Sequence, residues 1–475
     1  EERSPTAIAD AVQNKNFSLA AQLIHEGVEV NATQADGMSA LHWASLHDDS
    51  ATVVNLISAG AKVSKATRFG ITPLTIACQN GSQPIVELLL SQGADPNTKR
   101  DGDESALATA SRTGKVGAVK ALIQSGADID SKDHRGQTPL MWAAAEGNTD
   151  VVNALLQHNA NQAEMLDSGF TALTFAIRQG HINVVKALLT EGVDINATMS
   201  RKGAAKGKGN SRMSPLMLAV ENGHFELALM LLQAGADPND DRTGFAPLHA
   251  LSWVRKPEIG DNQRGNPPPR GSGNLSSLNF AAALVAHGAD INLPKRNNGG
   301  GRLRISVKGA TPFLCAASTA DLPYMQALLA LGADPTAMTA KKQNALMMAA
   351  GIDEGPNADG PATADEHYAA VTYILDLNIN DIDAVDHIGQ NVMHAAAYKS
   401  LPEVVRLFDK RGANIELWNQ ENKQGRTPLA IARGFRPGNF KPDQDTEQAI
   451  VQIMREHAVE IPLPIRNIDQ GWKDK

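Results

Sequence analysis

A period of 33 residues constrains this chain more than any other feature. A core of Ser or Thr, then Pro or Ala, then Leu starts at Ser39, Thr72, Ser105, Thr138 and Thr171, each 33 residues after the last. Relatives of the core start at Ser214, Ala246, Thr311, Asn344, Asn391 and Thr427. Self-similarity at a fixed period of this length marks a repeat array, in which each unit buries its apolar face against its neighbours. The 475 residues therefore need not divide into the roughly three globular domains that length alone suggests.

The physics of one unit is legible. Ser or Thr before Pro starts a helix: the hydroxyl accepts from free backbone N–H groups, and proline's fixed φ suits the first turn. A short Ala-rich helix follows, as in Ile76-Ala77-Cys78, whose small side chains admit a neighbouring helix. Gly81, Gly114, Gly147, Gly180 and Gly223, nine residues past the core, turn the chain. A second helix carries a buried stripe at 3, 4 spacing, as in Ile85-Val86 and Leu88-Leu89-Leu90. Gly60, Gly93, Gly126, Gly192, Gly235, Gly332 or Gly412 ends it, with Asn159 and Asn378 as substitutes, where a left-handed residue is wanted.

These residues resemble the ankyrin repeat, a β-turn and two antiparallel helices per 33-residue unit. The resemblance runs from about Pro5 to Glu460 and implies an all-α ankyrin-repeat solenoid with extended β-turn connectors. It implies about eleven repeats in a single array over residues 1–460. Residues 1–31 read as an N-terminal cap and 461–475 as an irregular tail.

Composition narrows the rest. Aromatics are 4%, too few for a large sandwich or barrel core. Charged residues at 20% and apolar residues at 42% exclude wholesale disorder. No stretch of 18 apolar residues is present, so no membrane span is expected. Cys78 and Cys315 are the only cysteines, which excludes a disulfide framework and a cysteine zinc site. They should be buried and too far apart to bridge. The chain opens Glu1-Glu2-Arg3-Ser4-Pro5 without methionine, which predicts a mature, exported bacterial-type protein, periplasmic or secreted; a cytoplasmic protein is the alternative.

Departures from the period carry the functional reading, because fold alone does not specify function. Enlarged turns occupy 197–213 and 293–308, and a helix-to-helix insert occupies 255–274. The first two carry five basic and no acidic residues each, and the third carries four basic and two acidic. Together they hold +12, which leaves −20 on the remainder of a chain whose net charge is −8. Basic patches on an acidic array suit an anionic surface; solvated Gly/Lys spacers are the plain alternative. A fourth insert, 352–366, is acidic. Its Thr363-Ala364-Asp365-Glu366 has the form of a capping box, and it reads as a solvated turn or as a contact for the basic inserts.

Chemistry is sparse. His42, His249 and His394 hold the fourth place of the core, where a ring bonds locally to the cap, and no His-Glu-x-x-His pair occurs. Gly203 to Lys208 imitates a phosphate loop, but lacks the following Ser/Thr and the strand–helix context. No catalytic residue, metal site or cofactor is expected. Trp43 and Trp142 should pack against neighbouring helices, whereas Trp253 borders an insert and should touch a partner.

The expectation is a non-catalytic interaction scaffold or accessory subunit. It would bind a folded partner with an acidic surface, in a hetero-complex, through a concave face and the basic inserts. The residues expected at the partner are Arg201, Lys202, Lys206, Lys208, Trp253, Arg255, Lys295, Arg296, Arg302 and Arg304. The alternative is an electrostatic binder of a polyanion, such as nucleic acid or anionic polysaccharide. The mild acidity of the chain argues against nucleic acid.

Overall fold

Each of the eleven cores stands at the N-cap of a helix in the computed structural model. The structure describes residues 4–199, 213–257, 269, 271–296, 308–352, 362–435 and 442–463. Among these lie 25 helices and, outside them, the isolated β-bridges Thr33–Ser39 and Lys99–Ser105. The chain divides into two compact units, 1–205 and 206–475.

In the first unit the helices pair in sequence, from Ala7–Gln13 with Phe17–His25 to Ala172–Gln179 with Ile182–Thr190. First helices pack on the first helices of neighbouring repeats, and second helices do likewise. The caps follow from the sequence: the Thr138 hydroxyl accepts the Met141 N–H at 3.3 Å, and Thr171 exchanges bonds with Thr174. Gly81, Gly114, Gly147 and Gly180 take φ from +71 to +79°, a left-handed conformation that ends the first helix.

Close helix approach has a specific residue behind it. Five positions past the core stand Ala44, Ala77, Ala110, Ala143 and Ala176, all fully buried. A larger side chain there would push neighbouring first helices apart. Connectors are stitched by amides. Asn31 donates to the Gly60 carbonyl at 3.1 Å and accepts from the Lys62 N–H at 2.8 Å; Asn97 repeats this with Gly126 and Asp128.

The second unit uses the same parts with longer joints. Ala219, Ala316, Ala349, Ala396 and Ala432 fill the fifth position, and Leu251 replaces alanine once. Thr363 and Glu366 form the expected capping box at the start of helix Ala364–Asp376. A short extra helix, Ile415–Trp418, lies in one connector, with the Trp418 ring fully buried. Among the described residues no helix is long and apolar enough to cross a membrane.

Candidate protein-binding surfaces

The first unit presents a row of aromatic rings and guanidiniums where the turns meet the first helices. The residue four places past the core recurs in register as Trp43, Ile76, Thr109, Trp142 and Phe175. At Trp43, Thr109, Trp142 and Phe175 the side chain faces the turn before it. The Trp43 indole donates to Gln34 Oε1 at 2.7 Å, and the Trp142 indole donates to Asp133 Oδ2 at 3.3 Å. These bonds hold both rings half-exposed. Between them Phe69 is 46% exposed with the Arg68 guanidinium 4.6 Å from its centroid. Arg112 lies 5.9 Å from the Trp142 ring, and Arg178 lies 5.6 Å from Phe170, which packs on Phe175 at 5.1 Å. Half-exposed rings beside arginine are the composition that dominates protein interfaces.

The row is not a basic stripe. Glu104 accepts from Arg100 Nε at 2.9 Å and from the Thr109 hydroxyl at 3.0 Å, and its carboxylate is 3.5 Å from Arg112. Two arginines therefore share one half-buried carboxylate. Asp36, Asp101 and Asp103 add exposed negative charge at neighbouring turns. Phe69, Phe170, Phe175 and their arginines were missed by sequence reasoning. The signal was available, since each falls at a fixed place in the 33-residue period, beside the turn or four past the core.

The residues singled out in the inserts fare differently. Arg201, Lys202, Lys206, Lys208, Arg302 and Arg304 lie outside the described residues. Arg296 is exposed, donates to the Asp241 carbonyl at 2.9 Å and pairs with its carboxylate. Trp253 is half-buried, edge-on to Phe245 at 5.0 Å. Its ring is committed to its own repeat more than to solvent.

Lys295 is a correction. Expected on an exposed insert, it is 2% exposed. It occupies the turn position that Asp133 and Asp386 hold elsewhere. Its N–H donates to the Ala310 carbonyl at 2.9 Å as theirs donate to Gln137 and Gln390, and Gly309 closes the turn back onto its carbonyl. The side chain therefore points under the turn, toward Cys315, four places past the next core. Burial pushes the Lys295 ammonium pKa down. Burial raises the Cys315 thiol to about 11, tempered by the nearby ammonium. Burial, aided by Lys295, lowers the His249 imidazole to about 4. The insert is thus anchored at its base by a buried lysine, and its neighbour Arg296 is the exposed cation there.

Arg255 is the second correction. Its guanidinium is engaged internally: Nε and Nη2 donate to the two Asp321 oxygens at 2.7 and 2.9 Å, and Nη1 donates to the Ser277 hydroxyl at 2.6 Å. It also lies 5.6 Å from the buried Tyr324 ring. Position explains this. Arg255 stands nine residues past Ala246, where other repeats place the turn glycine, so the first helix runs on and ends in a cation. Asp321 stands ten past Thr311, where Asn148 and His181 donate to carbonyls of the preceding first helix. An acceptor in place of a donor requires a donor in return, and Arg255 supplies it. Next to it Lys256 pairs with Glu366, so the acidic insert touches the basic one at their bases.

The core histidines behave as expected and do one thing more. Nδ1 of His42 accepts the Ser39 N–H at 3.2 Å, and Nε2 donates to the Ile71 carbonyl of the next connector at 3.1 Å. His249 joins Ala246 to Ala310 and His394 joins Asn391 to Arg426 in the same way. Each ring is buried, and burial lowers its pKa, to about 4 for His249 and His394. Cys78 and Cys315 are buried, as expected. Among the described residues no group of three metal-ligating side chains is gathered.

Comparison with known proteins agrees with this geometry. The family model described as ankyrin repeats in three copies matches residues 8–100 and 105–199, and the single ankyrin-repeat model matches residues 211–242. A search of curated proteins gives no match to this chain. Repeats of this kind generally mediate protein–protein interaction. With a helix starting at every core and helices paired within each unit, the chain has the all-α fold of an ankyrin-repeat solenoid.

Proposed function

We propose that this chain is a non-catalytic scaffold or accessory subunit that holds a folded protein in a hetero-complex. The single observation that carries the reading is the aromatic–arginine row of the first unit, on the turn and first-helix side expected to be concave. Trp43, Phe69, Trp142, Phe170 and Phe175 offer apolar area there, and the intervening arginines fix orientation. Such a row suits a protein surface better than a polyanion. Its carboxylates repel phosphate or sulfate, and its guanidiniums already lie on rings or beside Glu104. The basic inserts, with Arg201, Lys202, Lys206, Lys208, Arg296, Arg302 and Arg304, add a second contact for the partner's acidic surface.

The test is purification from the native source at gentle ionic strength, followed by mass measurement and subunit identification. A partner at defined stoichiometry is the expected result. Trp142→Ala should then weaken that complex by about tenfold or more, as loss of an interface anchor does. Recovery of nucleic acid or polysaccharide instead, with affinity falling steeply with salt, would replace this reading by the polyanion one.

A further inference from the structure

The helix-to-helix insert of the repeat starting at Ala246 returns through Gly271-Ser272-Gly273-Asn274, which composition reads as a loose spacer. The structure presses this segment onto the preceding repeat. In the first unit a helix-turn glycine is covered by a side chain of the following repeat. A Cβ on Gly114 would lie 2.5 Å from the Asn148 amide oxygen, and one on Gly147 would lie 2.7 Å from the His181 ring. Gly223 holds the same place in the repeat starting at Ser214, but main chain covers it. A Cβ on Gly271 would lie 2.5 Å from the Gly223 carbonyl oxygen, and one on Gly223 would lie 3.2 Å from Gly271 Cα. Glycine is thus required at 271 by close approach, not by a need for flexibility.

Polar contacts from two of these four residues fasten the segment. His224 Nδ1 and the Ser272 hydroxyl are 2.8 Å apart, and the Asn274 N–H donates to Glu226 Oε1 at 2.6 Å. Gly273, at φ +88°, lies against the Glu226 carboxylate, where a Cβ would come within 2.4 Å. The other end of the insert leaves toward later repeats, through Arg255 to Asp321 and Lys256 to Glu366. The side chain that would ordinarily cover Gly223 has therefore been replaced by the returning end of the insert.

We propose that residues 271–274 are a releasable strap. At the helix-turn edge they join the repeats starting at Ser214 and Ala246 beside the Phe225–Phe280 ring stack at 5.3 Å, while first helices Pro215–Glu221 and Pro247–Arg255 and second helices Phe225–Gln233 and Ser277–Ala286 pack across the rest of the joint. Lifting the strap loosens that edge without unfolding the unit.

Amide hydrogen exchange on the full chain tests this. Gly271→Val drives a branched side chain into the Gly223 carbonyl, and Ser272→Ala removes the bond to His224. Gly271→Val should speed exchange of the amides at 222–227 and 276–280 by about tenfold or more, and Ser272→Ala by a few-fold at the same amides. The other helices of the second unit should keep their protection. Unchanged exchange in both variants would overturn the proposal, and so would uniform acceleration across the unit. If Gly271→Val does not fold, Ser272→Ala decides alone, and no local acceleration in it refutes the strap.

Discussion

Replacing Arg255 by methionine should cost the second unit about 3 kcal/mol, the low end for breaking a buried ion pair by removing one partner. The Asp321 side chain is 1% exposed and accepts both guanidinium bonds, while Arg255 is 16% exposed. The exposed fraction places the figure at the low end of the range. Asp321 would keep only the Tyr324 N–H, at 3.2 Å, as the cap of helix Leu322–Ala330. The reverse change, Asp321→Asn, should cost less, about 1–2 kcal/mol, because asparagine still caps and Arg255 can extend toward solvent. The double variant should cost clearly less than the sum, since neither charge is then stranded. Urea unfolding followed by exchange at helices Pro247–Arg255 and Leu322–Ala330 reads all three. A single Arg255→Met effect within about 0.5 kcal/mol of zero, the size of an ordinary surface change, would refute the reasoning. Strict additivity in the double variant would refute it too, by showing that the pair is not coupled.

The remaining expectations are briefer. His249 and His394 have folded pKa values near 4 against an unfolded value near 6.5, so between those limits the unfolded chain binds more protons. Stability should then fall as pH drops through that window, by about 2–3 kcal/mol per ring at pH 4.5, and His394→Asn should flatten the profile in thermal melts at pH 7 and 4.5. Ala143→Leu should destabilise the first unit by about 1–3 kcal/mol, because the residue is fully buried between first helices; a melting temperature equal to that of the parent would show that the seam is slack. Asn148→Ala removes two bonds, to the Ser111 and Arg112 carbonyls at 2.8 and 3.0 Å, and should cost about 1–2 kcal/mol by urea titration. Cys78 and Cys315 should resist a thiol reagent at pH 8 until denaturant is added, because burial raises both thiols; rapid labelling of either in the native protein would contradict that burial.

What the sequence makes legible follows from what repetition can encode. A cap, a turn glycine and an apolar stripe act within a few residues, so Thr72, Gly81 and the stripe of helix Gln83–Ser91 announce themselves and the structure places them as read. Side-chain direction at an irregular place is not local in this sense. Lys295 reads as one more cation in a basic insert. Its fate is set by the turn position it inherits, where Asp133 also points toward the helix that follows. The same comparison between repeats shows Arg255 standing in a glycine's place and Asp321 in a donor's place, a pair of exceptions that answer each other across 66 residues of sequence. Gly271 extends the lesson. Composition assigns a Gly-Ser-Gly run to a spacer, because glycine's freedom is the commonest reason for its presence. The other reason is the absence of a Cβ, and only the facing carbonyl of Gly223 distinguishes the two. In a repeat protein, then, the departures are best read against the equivalent position in the neighbouring unit. A residue that breaks the pattern has either lost the contact that the pattern makes or found a substitute for it.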